Sequence, residues 1–209
     1  MKISSLSVGA IITAFFVVGA ANAGPVDDAV AAYERGDYQT AFQKFMPAAE
    51  GGNADAQVNV GAMYANGEGV EQNFAEALKW YRLSAEQGNA AAQNRLGSMY
   101  DDGVGIAQNF EEAAKWYRRS ADQGNVGAQI NLGAMCAKGV GVPKDYVLAY
   151  MWLSIAVSRI PPDANDMRVF VARLRDQIVL RMAPFQIDEA RQLARRWKPR
   201  IERQAARLP

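Results

Sequence analysis

Few side chains in this sequence could hold or move a proton, a metal ion or a bonding pair. The chain contains no histidine, which excludes His-based triads, His general bases and His metal sites together. Its one cysteine, Cys136, excludes an intrachain disulfide and any Cys-x-x-Cys zinc or redox site. A nucleophilic thiolate at Cys136 would need a base, and no imidazole supplies one. Glu111 and Glu112 are paired carboxylates, but adjacent helical residues diverge by about 100°, so the two do not converge on a substrate. Asp101-Asp102-Gly103 lacks the alternating oxygen ligands of a calcium loop. No G-x-x-x-x-G-K-[ST] phosphate loop occurs. Trp80, Trp116 and Trp152, with Met63, Met99 and Met135, could form an aromatic binding box or a core; their regular recurrence predicts core. No catalytic residue, cofactor site or metal site is therefore assigned.

A chain of 209 residues predicts one domain, at most two. Half the residues are hydrophobic and 22% are charged, which excludes a wholly disordered chain, a collagen and a multispan membrane protein. The net charge of +1 gives no global field to steer the protein to nucleic acid. The charge is uneven, however. Residues 24–142 carry 9 positive and 15 negative side chains, and residues 143–209 carry 13 and 7. Arg191, Arg195, Arg196, Lys198, Arg200, Arg203 and Arg207 crowd the end. They form either a solvated face that pairs with the acidic region or a contact for an anionic partner, such as lipid head groups or an acidic protein.

The first 23 residues read as an address. Lys2 precedes an apolar run from Leu6 to Ala21, and Ala21-Asn22-Ala23 ends it with small residues at the positions a signal peptidase reads. The run is shorter than the roughly 20 residues of a membrane-spanning helix. Cleavage after Ala23 and a periplasmic or secreted product are expected; the alternative is an uncleaved anchor. No nucleic-acid partner is expected for an exported chain, and no membrane span after cleavage.

The elements that position the remaining side chains follow from a repeat. Asn53 to Gly88 reads NADAQVNVGAMYANGEGVEQNFAEALKWYRLSAEQG, and Asn89 to Gly124 reads NAAAQNRLGSMYDDGVGIAQNFEEAAKWYRRSADQG, with 22 identities in 36 positions. A third copy begins at Asn125, and a partial one occupies 27–52, where Tyr38, Ala41, Phe45, Ala49 and Gly52 hold the same register. Each copy predicts two helices. Ala56, Val60, Met63 and Tyr64 make the apolar face of the first, with Gly61 beside them for close approach. Gly67 and Gly69 suit a turn with positive φ. Asn73 with Glu76, and Asn109 with Glu112, have the spacing of a capping box at the start of the second helix. Phe74, Ala77, Tyr81 and Ala85 give its buried face, and Gly88 ends it. One such pair cannot bury its own apolar faces, whereas stacked copies can. The fold class expected is all-α, a solenoid of antiparallel helix pairs.

The pattern A-x-x-x-G-x-x-Y, then G-x-G, then F/Y-x-x-A-x-x-W-Y-x-x-A-x-x-G resembles the Sel-one-like repeat, a relative of the tetratricopeptide repeat. It is carried by Ala56, Gly61, Tyr64, Gly67, Gly69, Phe74, Ala77, Trp80, Tyr81, Ala85 and Gly88, and in the second copy by Ala92, Gly97, Tyr100, Gly103, Gly105, Phe110, Ala113, Trp116, Tyr117, Ala121 and Gly124. In the third copy Cys136 replaces the tyrosine, which suggests a half-buried packing site, Leu153 follows Trp152, and the closing glycine is missing. The cysteine pairs of one branch of the family are absent. The resemblance implies a tetratricopeptide-like superhelix with an adaptor or scaffold role and no single activity.

After repeats at 53–88, 89–124 and 125–158, Pro161-Pro162-Asp163 breaks the pattern. Helices are expected over about 166–182 and 184–197, capping the array over 159–199, with a flexible basic tail at 200–209. By analogy with tetratricopeptide arrays, exposed positions of the first helices form a binding face. Asp55, Asn66, Asn94, Ser98, Asp101, Asp102 and Lys138 are its polar members, with Val58, Ala62 and Ile130 between them. The function expected is a non-catalytic scaffold of the bacterial envelope that binds a protein or peptide partner. The alternatives are an envelope hydrolase acting on cell-wall material, supported by compartment alone, and a purely structural spacer.

Overall fold

The computed structural model describes residues 25–200, and the expected signal segment and most of the basic tail lie outside them. Every regular element in the described residues is helical. The chain divides into two compact units, one ending at Gln108 and the other beginning at Asn109.

The first unit holds α1 (Pro25–Glu34), α2 (Tyr38–Glu50), α3 (Ala54–Asn66), α4 (Phe74–Glu86) and α5 (Ala90–Asp102), each packed on the next. Asparagine starts the helices that open each repeat. The side-chain oxygen of Asn53 accepts from the Ala56 N–H at 2.9 Å, and that of Asn89 from the Ala92 N–H at 3.0 Å. Each cap satisfies a donor the helix leaves open, a contribution of about 1 kcal/mol. Asn73 does the same for α4, accepting from Ala75 and Glu76. The expected capping box is only half formed. The Asn73 N–H donates to the Tyr64 carbonyl at the end of α3 instead of to Glu76, and Glu76 pairs with Lys79 at 3.2 Å. The helix start is thereby tied to its partner helix.

The core of this unit runs across repeat boundaries. Ala29 and Ala32 of α1 and Ala41, Phe45 and Ala49 of α2 cluster with Ala56, Val60 and Met63 of α3, and Trp80 of α4 reaches into the same cluster. A second cluster joins Ala77 and Tyr81 of α4 to Met99 of α5. The partial repeat α1–α2 is therefore the first layer of the stack. Phe74, expected on the buried face, is 37% exposed. It is the first residue of α4, and its carbonyl and Cβ lie against Gly105 of the next repeat.

Two glycines set these distances. A Cβ on Gly61 would lie 2.8 Å from Cδ1 of Tyr81, so the tyrosine ring rests on bare backbone. Gly69 has φ of +70° and abuts the Tyr38 carbonyl, so a side chain there would meet both a strained backbone and a carbonyl oxygen.

The second unit holds α6 (Phe110–Asp122), α7 (Val126–Lys138), α8 (Tyr146–Arg159), α9 (Asn165–Val179) and α10 (Pro184–Arg196). Here α7 packs between α6 and α8, and α8 carries both α9 and α10. The pattern of the first unit repeats. Asn109 caps α6 through the Glu112 N–H, Asn125 caps α7 through Ala128, and Gly141 abuts the Phe110 carbonyl. Gly133 lies against Leu153, as Gly61 lies against Tyr81. Trp152 is 2% exposed and packs edge-on to Trp197, which anchors the end of α10. The guanidinium of Arg159 sits 5.6 Å from the Trp197 ring centre, and its Nε–H donates to the Gly124 carbonyl.

Further features of this unit depart from expectation. Trp116, read as core, is half-buried, with the Arg119 guanidinium 4.8 Å from its ring centre. Cys136, read as half-buried, is 1% exposed. α9 ends at Val179, short of Met182.

Overfilling a site of this kind costs about 1–3 kcal/mol. Gly61→Ala should lower the urea-unfolding free energy by about that amount, and Gly69→Ala by more, because it adds backbone strain to overlap. A Gly61→Ala protein as stable as the parent would show that the ring does not need bare backbone.

Candidate partner-binding surface

The candidate surface is built from the faces that helix packing leaves over. On α3, Asp55 is exposed, but its carboxylate accepts from the Asn89 side-chain amide at 2.7 Å. Asn89 thus caps α5 with its oxygen and ties α5 to α3 with its nitrogen. Val58 and Ala62 pack against the Ala77–Tyr81–Met99 cluster, so they serve the core as much as a groove. Asn66 is half-buried at the last turn of α3.

On α5, Asn94 and Ser98 stand one turn apart, both half-buried, and the Ser98 hydroxyl donates to the Asn94 backbone carbonyl at 3.2 Å. The Asn94 side-chain oxygen is shut off from solvent and accepts no hydrogen bond. Asp101 is half-buried, and its backbone carbonyl accepts from the Gln108 side chain at 2.7 Å. Asp102 is exposed at the end of α5, and partial desolvation raises its carboxyl above the usual range. The structure therefore brings Asn94 and Ser98 together and joins Asp55 to the start of their helix.

In the second unit Lys138 is exposed at the end of α7. Ile130, expected on the open face, is 7% exposed. Lys138 lines a cleft of about 300 Å³ together with Lys144, the α8 residues Tyr146 and Leu153, and the α9 residues Leu174, Gln177, Ile178 and Arg181 beyond its end.

The basic end is partly engaged. Arg191 lies 3.6 Å from the Asp188 carboxylate, and the Tyr150 hydroxyl beside it helps to hold its guanidinium charge. Arg195, Arg196, Lys198 and Arg200 are exposed, with the Arg200 N–H donating to the Asp122 carbonyl at 2.6 Å. Arg203 and Arg207 lie outside the described residues.

Sequence reasoning missed a set of buried polar side chains. Gln57, Gln93 and Gln129 are at most 4% exposed. Their amides donate to the carbonyls of Ala49, Ala85 and Ala121 at 3.0, 3.1 and 3.2 Å. Each pins a first helix to the end of the helix before it. Gln57 in turn accepts from Gln87 at 2.7 Å, and the Ser84 hydroxyl donates to the Ala54 carbonyl. The signal was present, because the same Ala-Gln pair opens all three copies. A glutamine in a helix reads as surface unless its recurrence is tested against packing.

Little here can do bond chemistry. Burial pushes the Cys136 thiol up, so it stays protonated and weakly nucleophilic. Among the described residues no group of three or more Cys, Asp or Glu side chains could hold a metal ion, and no helix is long and apolar enough to cross a membrane.

The Sel1 repeat family model matches residues 54–89, 90–125 and 126–159. The chain belongs to the Sel1 repeat family. Repeats of this family generally serve as scaffolds for protein–protein interaction, and the fold is generally non-catalytic. One similar solved structure is a Sel1 repeat protein from Oxalobacter formigenes, with 36% identity and a TM-score of 0.61, covering 64% of this chain and 55% of that one. Another is c5321, a protective antigen present in uropathogenic Escherichia coli strains that displays an SLR fold. There the identity is 25% and the TM-score 0.54, over 81% of this chain and 45% of that one. The chain thus spans about half the length of the solved relatives it matches. No curated protein sequence matches it. The α1–α2 pair lies outside the Sel1 match, lacks the G-x-G loop and turns at Gly36, whose φ is +79°.

Two measurements test this interior. Leaving a buried polar group without its partner costs about 1–3 kcal/mol, and Gln93→Leu should destabilise the Sel1 array by about that much in urea unfolding. Burial also pushes the Tyr81 phenol up to about 12, with Arg95 pulling partly back. An unfolded tyrosine titrates near ~10. The neutral phenol's contribution is therefore complete below that value and is lost as pH rises through about 12. The alkaline fall in stability should be shallower in Tyr81→Phe, and an unchanged alkaline limb would remove Tyr81 from its cause.

Proposed function

We propose that this protein is a non-catalytic interaction scaffold of the bacterial envelope, exported by the segment over 1–23 and released after Ala23. Its partner is a protein or peptide that lies along the leftover faces of α3 and α5. The observation that carries this reading is Asn94. It is half-buried, so part of its side chain stays at the surface of α5 beside Ser98, although its oxygen is sealed from water. Asn94 sits where the other copies have Val58 and Ile130, and Ser98 where they have Ala62 and Ala134. These positions are apolar in the other copies, covered at Ile130 and packed on the core at Val58 and Ala62, and are polar only on α5. Packing accounts for the apolar positions, and recognition for the polar pair on α5.

A second contact is supported by the cations that α10 leaves over. Arg195, Arg196 and Lys198 are exposed, whereas Arg191 is held by Asp188 and Tyr150. They suit an anionic patch on the same partner or an acidic head group.

Affinity capture from an envelope extract tests the reading, with Asn94→Arg and Ser98→Arg placed on the face and Lys198→Glu at the basic end. A partner retained by the parent should be retained at least about tenfold more weakly by the α5 variants, the equivalent of ~1.4 kcal/mol. Equal retention by both would refute the α5 face. Mass spectrometry of the protein recovered from cells should show an N-terminus at Gly24.

A further inference from the structure

The cleft in the second unit has a chemistry that the scaffold reading leaves unused. Three cations line it: Lys138 at the end of α7, Lys144 in the loop that follows, and Arg181 after α9. No carboxylate is among the lining residues. All three cations are exposed, and none makes an ion pair with a described residue. By contrast Lys44, Lys79, Lys115, Arg175 and Arg191 each have a carboxylate within reach. Like charges that line one cleft without a counter-ion raise one another's energy, and an anion between them lowers it.

The rest of the wall is mainly apolar, with Tyr146 and the exposed Gln177 as its polar members. Leu153 and Ile178 are buried and Leu174 is half-buried, while the small side chain of Ala134 leaves the space open on the α7 side. A phosphate or nucleotide would use the cations and waste this floor. A neutral hydrocarbon would use the floor and leave the cations uncompensated. The lining thus selects a molecule with one anionic end and an apolar body. The size restricts it further. The cleft volume of about 300 Å³ lies at the small end of ligand sites. A site of that size suits a medium acyl chain better than a long one.

We infer that this cleft binds a medium-chain fatty acid, with its carboxylate among Lys138, Lys144 and Arg181 and its acyl chain against the half-buried Leu174, Ala134 and Ala137. Gly139 helps to place one cation, because it takes φ of +72° and presses close to the Lys144 Cβ.

Isothermal titration of the full chain with octanoate, kept below its micelle concentration, tests the assignment. Acetate and 1-octanol serve as the head alone and the tail alone. Octanoate should saturate at one per chain, and both controls should bind more weakly. Replacing the three cations together (Lys138→Gln, Lys144→Gln, Arg181→Gln) should weaken octanoate about tenfold or more, with the circular dichroism unchanged because all three side chains are exposed. Absence of saturation overturns the inference. So does octanoate binding unchanged in the triple variant, which would place the acyl chain on another apolar segment. A peptide with an apolar C-terminal residue that displaces octanoate at lower concentration would give the cleft to a protein terminus and overturn it as well.

Discussion

A helix pair of this length has more apolar surface than it can cover by itself, and the packing described here follows from that shortage. Trp80 joins its own α3 to the α1 and α2 layer before it, and Met99 arrives from the next repeat to pack with Tyr81. A buried aromatic side chain removes about 150–250 Å² from water, which at ~25 cal/mol per Å² is about 4–6 kcal/mol as an upper bound. A helix cap contributes about 1 kcal/mol. Layer contacts therefore outweigh local helix signals, and bare backbone at Gly61 and Gly133 is kept because rings and leucine side chains must approach closely there.

The polar groups inside obey the same geometry. A helix end buried under a neighbour leaves carbonyls that water cannot reach, and Gln57, Gln93 and Gln129 each reach one of them. These bonds specify register more than they add stability, since each nets only about 1 kcal/mol. A layer shifted along its neighbour would leave both the amide and the carbonyl without a partner. What packing and register do not need is free to vary: the outer positions of α3 and α5 and the cations around the α7–α9 cleft.

The C-terminal helices show how an array can end. α8 is the last helix with the repeat's aromatic signature, and α9 and α10 both pack on it. Trp197 meets Trp152 edge-on, and Arg159 lies over Trp197 while bonding back to Gly124. The exposed apolar side chains Phe170, Leu180 and Phe185 remain on this cover. A cap thus hides the repeat's edge without being fully sheltered itself.

The period of 36 residues, read with its alanines, glycines and aromatics, was enough to determine the helix pairs, their turns and the all-α class. Those features depend on local spacing, which a linear sequence displays. The missing histidine and the lone cysteine likewise remove whole classes of chemistry at the level of the sequence. Tertiary contact decided the rest. Only packing shows that Ile130 is covered, that Phe74 and Trp116 are partly exposed, that Cys136 is sealed, and that the Asn73 N–H prefers the Tyr64 carbonyl to Glu76. Only packing gathers Lys138, Lys144 and Arg181 around one cleft. Solvent exposure and hydrogen-bond choice depend on which distant segment arrives, and spacing along the chain carries no record of that arrival.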